Sequence, residues 1–329
     1  MFEKIPSQIQ SFFAPPLPAL ACEISDRHLA LVRLNTRDAR EIAQFALAAL
    51  PEGLVQPSLT TPILASPADF EGILKSTLGK AEIKSNRLSL ALPDAVFRVS
   101  IQSFDTFSGN ENEKTDLLKW KLKKTLPFNI EEGRLAYWAS KGADGKVVVL
   151  SACAYAPVLD QVEKVFEKAG IRIGCITLSS LASMEFLGHV DGAMLEKTIL
   201  FLNVRDRDIS VVIVGNGILL FFRHNSYSFG DFSAIAESAS GEWASRIYNE
   251  IHPCLMYYQD KYGASGVDAI YLCSSSAPEK EQLSKISRET GCPVYPVDPL
   301  EWMRFHGQGS LQLTRHLLTA SLGLAIGRF

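Results

Sequence analysis

The sequence predicts an α/β protein of two lobes, made by using one unit twice, with a small α+β module inserted into the first half. Three observations predict it. A β-β-β-α-β order over residues 20–92 returns over 198–272. The stretch between these units has a different character. The chain has 329 residues, 47% hydrophobic and 21% charged, which suffices for about two cores and excludes wholesale disorder.

The first unit opens with three strands, Leu20–Ser25, Leu29–Asn35 and Arg40–Leu50, separated by turn-prone Ser25-Asp26 and Asn35-Thr36. A loop follows that contains Pro51, Pro57, Pro62 and Pro67. Phe70, Ile73, Leu74 and Leu78 then share one face of a helix over 69–78, with Ser66 or Asp69 as cap. Arg87–Leu92 is the next strand, stopped by Pro93. The second unit repeats this order with strands Thr198–Val204, Asp208–Val214 and Gly217–Arg223, a helix over 238–262 and a strand Val267–Leu272. Its turns are Arg205-Asp206-Arg207 and Gly215-Asn216. The duplication predicts a cleft with Ser25–Arg27 on one side and Arg205–Arg207 on the other.

The insert holds a strand Val96–Phe104, a lysine-rich helix over 114–126, strands Leu135–Ser140 and Lys146–Tyr155, an amphipathic helix over 157–169 closed by Gly170, and a strand Ile171–Thr177. The expected division is therefore 1–93 with 177–197 as first lobe, 94–176 as insert, and 198–329 as second lobe. A helix over 278–290, a strand Cys292–Val297 and a helix over 313–326 complete the second lobe.

Lys+Arg 33 against Asp+Glu 36 gives a net charge of −3, which argues against a general nucleic-acid binder. No stretch reaches the ~18–20 apolar residues needed to span a bilayer. The nearest, ISVVIVGNGILLFF, is broken by Gly-Asn-Gly, a turn between two strands. Cys22, Cys153, Cys175, Cys254, Cys273 and Cys292 contain no C-x-x-C pair and sit mostly in apolar stretches, as buried thiols of a reducing compartment do. FFAPPLPALAC is interrupted by prolines and continues into a strand, so it reads as part of an unprocessed cytoplasmic protein. Phe2, Ile5, Ile9, Phe12 and Phe13 have near-helical spacing and are expected to pack on their own domain.

The order of three strands, helix, strand, insert and repeated unit resembles the actin-like (ribonuclease H-like) fold. An insert in the first half resembles FtsA and, more closely, the PilM family of type IV pilus assembly proteins. LLKWKLKKTLPFNIEE is similar to that family's helix ending in a Pro-Phe step before acidic residues. PVLDQVEKVFEKAGIRIGCITLSSLASMEFL, EIHPCLMYYQ with VDAIYLCSSSA, and the closing SLGLAIGRF also resemble it, so the likeness runs through nearly the whole chain. It implies a cytoplasmic scaffold held at the inner membrane through partners. The scaffold would dock the N-terminal tail of an inner-membrane PilN-like protein between insert and first lobe and couple it to a motor ATPase, with self-association as a further option. Trp120, Lys124, Pro127, Phe128, Glu131 and Glu132 are the implied docking residues, with Asp94 as an additional acid and Phe128 as the central anchor. The GspL cytoplasmic domain of type II secretion is the related alternative. That protein continues into a membrane helix and a periplasmic domain, for which these residues hold no segment.

The family carries Asp-Ile-Gly in two phosphate loops and Gly-Gly beside the adenosine. Here the loops read Glu23-Ile24-Ser25-Asp26-Arg27 and Asn203-Val204-Arg205-Asp206-Arg207, and the third motif reads Ser274-Ser275-Ser276. Glycine lets the backbone approach an anion, and Asp positions a metal. Losing all three signatures together implies a degenerate cleft with no catalytic residues, no metal and no cofactor. An Arg at a left-handed Gly position would also cost ~1–2 kcal/mol. Glu23 can still hold magnesium through water and Arg205 or Arg207 can still meet phosphate, so an ATP-binding switch or filament-former is the alternative. There is no G-x-x-x-x-G-K loop, G-x-S-x-G elbow, H-E-x-x-H helix or Cys/His cluster. His28 and His224 flank strands and read as surface or internally satisfied residues.

Overall fold

The computed structural model describes residues 18–35, 37–142, 144–192, 196–227, 240–263, 266–305 and 315–327. In the first lobe β1 (Leu20–Ile24), β2 (His28–Leu34), β3 (Glu41–Ala49), α1 (Pro67–Lys80) and β4 (Arg87–Leu92) follow one another. The insert contributes β5 (Phe97–Phe104), α2 (Glu111–Leu122), β6 (Gly133–Lys141) and β7 (Val147–Tyr155). The chain then forms α3 (Ala156–Lys168), β8 (Arg172–Leu178) and α4 (Ser179–Val190). The second lobe holds β9 (Thr198–Val204), β10 (Asp208–Gly215), β11 (Ile218–Ser226), α5 (Ser240–Tyr262), β12 (Ala269–Ser274), α6 (Lys280–Thr290) and β13 (Val294–Pro296). Last come β14 (Arg304–Phe305) and α7 (Thr319–Ile326).

The duplication is visible in the sheets. The first runs β14-β3-β2-β1-β4-β8 and the second β11-β10-β9-β12-β13. Leaving out β14, each places its third, second, first, fourth and fifth strands in that spatial order. In both, the first three strands are antiparallel neighbours and the fourth runs parallel to the first. The β10–β11 hairpin turns on Asn216 (φ 50) and Gly217 (φ 72), the paired positive φ values that a two-residue turn matched to strand twist requires.

Each sheet packs on both faces. α1 and α3 cover one face of the first sheet with Phe70, Leu74, Val158, Val162 and Phe166. α5 covers the outer face of the second sheet with Trp243, Ile247 and Ile251. The two inner faces share a central core with α4 and α7, where Ala21, Val32 and Ala91 meet Phe186, Leu322, Phe201 and Val212. α4 and α7 cross so closely that a Cβ on Gly323 would lie 1.8 Å from the Ala182 carbonyl oxygen.

The insert's sheet is β5-β7-β6 alone. α3 and β8, which the sequence places inside 94–176, join the first lobe instead: β8 pairs with β4, and α3 lies in that lobe's core. The strong apolar face of α3 needs more cover than the insert's small core of Leu122, Ile130 and Cys153 provides. α2 starts earlier than its apolar pattern suggests because Asn110 and Glu113 form a reciprocal capping box, and it ends at Leu122. The segment 1–13 lies outside the described residues.

Candidate functional site

The two turns predicted to face each other do so, and their backbones match. The Ser25 N–H donates to the His28 carbonyl at 2.9 Å, and the Arg205 N–H donates to the Asp208 carbonyl at 2.9 Å. The next strand closes each turn in the same way: Leu50 N–H to Arg27 O at 2.8 Å, Tyr227 N–H to Arg207 O at 2.7 Å. The repeat thus equates Glu23 with Asn203, Ser25 with Arg205, and His28 with Asp208. Among described non-glycine residues only Glu82 and Asn216 have positive φ. Neither turn uses the left-handed region, so the strain expected from Arg at a glycine position does not arise.

Arg205 reaches from the second lobe into the first. Its Nη2 donates to Glu23 Oε1 at 2.7 Å and to the Ser179 hydroxyl at 3.0 Å, while that hydroxyl donates to the same Glu23 oxygen at 2.5 Å. Glu23 is 0% exposed and Arg205 5%. His28 Nε2 lies 3.8 Å from Glu23 Oε2, and its Nδ1 shares a hydrogen bond with the Ser25 hydroxyl at 2.7 Å. Burial pushes the Glu23 carboxyl up, but the Arg205 guanidinium, with His28 and Ser179, outweighs it and leaves a net shift downward. His28 is accordingly buried, with Nδ1 bonded to Ser25 and Nε2 facing Glu23 without a hydrogen bond.

Asp94 forms the second bridge. The backbone N–H of Ser180, in the first turn of α4, donates to its Oδ1 at 3.1 Å, and the Ser210 hydroxyl of the second lobe donates to its Oδ2 at 2.5 Å. A protein carboxylate therefore takes the anion position at this helix N-terminus. This overturns the expectation of Asp94 as a surface acid for a partner, since it is 2% exposed. Neighbouring acids feel the crowding. Burial pushes Asp208 well above the ordinary carboxylate range, with Asp94 adding to the shift, and burial followed by Asp206 raises Asp26. At the cleft's rim Arg207 donates to Glu52 at 2.8 Å and lies 3.7 Å from Asp26, while Arg27 lies 3.6 Å from Glu52.

Glu23, Asp26, Asp94, Asn203, Arg205 and Asp208 enclose a cavity of about 10 Å³, roughly the room of one water molecule and far below the ~300 Å³ at which small-molecule sites begin. Four of these six residues are carboxylic acids. No group of three or more His, Cys, Asp or Glu among the described residues is arranged to hold a metal. The Ser274–Ser276 run is likewise engaged internally: the Ser274 hydroxyl donates to the Ser276 carbonyl, and the Ser275 N–H donates to Val204 O at 3.0 Å.

The insert's docking residues divide between core and surface. Phe128 is half-buried, 4.9 Å from the Tyr155 ring and packed on the core of Leu122, Ile130 and Cys153. Trp120 is 65% exposed. Lys124, Pro127, Glu131 and Glu132 are exposed, and Glu131 accepts from Lys119 at 2.6 Å. A groove of about 890 Å³ lies between β3 and α1 of the first lobe and includes none of these six residues. Ser179, Ser210 and Asp208 were not singled out in the sequence. Their one available signal is position, just after β8 and at the start of β10.

No family model and no curated protein sequence matches the chain. Among solved structures, a PilM-PilN type IV pilus biogenesis complex matches at TM-score 0.81 and 19% identity, covering 96% of this chain and 100% of that one. The fold is actin-like. The ethanolamine utilization protein EutJ from Carboxydothermus hydrogenoformans follows at TM-score 0.49 and 12% identity, over 97% of this chain and 94% of that one. The cytoplasmic domain of EpsL from the Vibrio cholerae type II secretion system follows at 0.47 and 12% identity, over 92% and 94%. No helix among the described residues is long and apolar enough to cross a membrane.

Proposed function

We propose that this chain is a PilM-like scaffold of type IV pilus biogenesis that docks the cytoplasmic tail of a PilN-like inner-membrane protein and does not hydrolyse ATP. One observation carries the reading: the likeness to PilM in its complex with PilN spans the whole of that chain. The cleft supports the second half of the reading. Arg205 supplies from within the protein the positive charge that Glu23 needs, and the pocket around this pair has room for about 10 Å³. Docking rather than turnover is then the work of the molecule, which sits under the membrane by holding a membrane-anchored partner.

The test is calorimetric. A synthetic peptide of the N-terminal cytoplasmic tail of the single-pass membrane protein encoded beside this gene is titrated into the full chain, followed by Mg–ATP in a separate run. Binding of the tail without heat from Mg–ATP is the expected result. Mg–ATP binding in the low micromolar range, ~−8 kcal/mol, would favour the ATP-dependent switch. Absence of tail binding would remove the docking role.

A further inference from the structure

The C-terminal end of α2 combines features that neither the cleft nor the insert's core uses. Trp120, at 65%, is the most exposed large apolar side chain among the described residues. With about 3.6 residues per turn, Lys123, the helical C-cap of α2, projects within roughly 60° of it around the helix axis, and Lys124 follows in the turn beyond the helix. The Lys121 ammonium lies 5.7 Å from the ring centroids of both Trp120 and Phe104. Among the described residues Lys121, Lys123 and Lys124 have no carboxylate partner, whereas Lys114 pairs with Glu111 and Lys119 with Glu131. The acids of α2, Glu111, Glu113 and Asp116, occupy its first half. Charge is thus segregated along the helix, and the basic end carries the tryptophan.

We infer that this end of α2 is a contact surface for an anionic lipid bilayer, with the Trp120 ring at headgroup level and Lys121, Lys123 and Lys124 facing lipid phosphates. Three physical points favour lipid over a protein partner. The surface is the tip of a helix, not a groove, so it offers no pocket in which a protein anchor could be desolvated. Lysine is depleted at protein–protein interfaces, while tryptophan with lysine is the composition of membrane interfaces. The ammonium over the ring also sets a charged group beside the indole, the pairing of apolar ring and cation that a headgroup region accommodates. One tryptophan and three lysines hold a protein weakly, so the contact orients a molecule that is attached by other means. The inference stands on these residues alone and does not need the partner-tail reading.

The experiment is co-sedimentation of the full-length protein with vesicles of phosphatidylcholine containing about 30% phosphatidylglycerol, against pure phosphatidylcholine, at low and high salt. Binding to the anionic vesicles that falls with salt is expected. At about fivefold per lysine, the triple variant Lys121→Gln, Lys123→Gln, Lys124→Gln should bind about a hundredfold more weakly. Trp120→Ala should also lose binding, and the triple Lys→Arg variant should retain it. All four side chains are exposed, and circular dichroism confirms that each variant is folded. Failure of the wild-type protein to bind anionic vesicles overturns the inference. So does a triple Gln or Trp120→Ala variant that binds as well as wild type, which would place any lipid contact elsewhere in the chain.

Discussion

Arg205 and Glu23 form a buried ion pair between the two lobes, with Nη2 and Oε1 2.7 Å apart and Ser179 hydrogen-bonded to both. The repeat puts a serine, Ser25, at the position equivalent to Arg205, so only one of the two matching turns sends a cation across. An ordinary ligand cleft leaves such charges facing solvent or a bound group. Here they neutralise each other.

Removing one partner of a buried pair strands the other charge. Arg205→Ala should therefore destabilise the protein by about 3–5 kcal/mol at neutral pH, read from urea denaturation. Replacing both members with apolar residues of similar size, Glu23→Leu with Arg205→Met, should recover most of that loss. The Glu23 pKa is depressed on folding, so its contribution exists above the unfolded value of ~4.3 and fades as pH falls through the lower folded value. The gap between wild type and Arg205→Ala should narrow accordingly in acid. An Arg205→Ala protein within ~1 kcal/mol of wild type at pH 7 would contradict the buried pair.

Asp208 carries the opposite sign. Burial raises its pKa in the folded state, followed by the Asp94 carboxylate. A group raised in this way favours folding below its unfolded pKa of ~3.9 and costs stability as pH rises. Asp208→Asn should raise the melting temperature at pH 7, and the difference should vanish towards pH ~3. Equal stability of the two proteins at every pH would rule out the shift.

Gly323 and Gly188 make a matched pair of helix glycines. A Cβ at Gly323 would collide with backbone of α4 at 1.8 Å, while a Cβ at Gly188 meets nothing within 4 Å. Gly323→Ala should push α7 away from α4 and cost about 1–3 kcal/mol or more. Gly188→Ala should stabilise by ~0.5–1 kcal/mol through helix propensity. Thermal melts of both variants measure the contrast.

Phe128 packs on the insert's core while Trp120 stands in solvent. Phe128→Ala should open the insert's small core and cost about 1–3 kcal/mol, seen as faster hydrogen exchange in β6 and β7. Trp120→Ala should leave stability within ~0.5 kcal/mol of wild type. Fast exchange across the insert in Trp120→Ala would show that the ring is a packing element.

The sequence by itself determined the repeated unit. The largely apolar runs of Leu20–Ile24 and Thr198–Val204, the Asn216-Gly217 turn and the Ser66 cap are local signals, written within a few residues of where they act. That no glycine stands at Ser25, Arg205 or Ser274–Ser276 was legible for the same reason. What these residues bind was not. Arg205 meets Glu23 across 182 positions of chain and Ser210 meets Asp94 across 116, and no periodicity encodes such distances. The assignment of α3 and β8 to the first lobe was also tertiary, because a strand's neighbours depend on which sheet edge remains open when it arrives. Trp120 and Phe128 share an apolar character that a sequence cannot rank for burial. Only the path of the chain after Leu122, turning Phe128 back under Tyr155 and leaving Trp120 in solvent, decided between them.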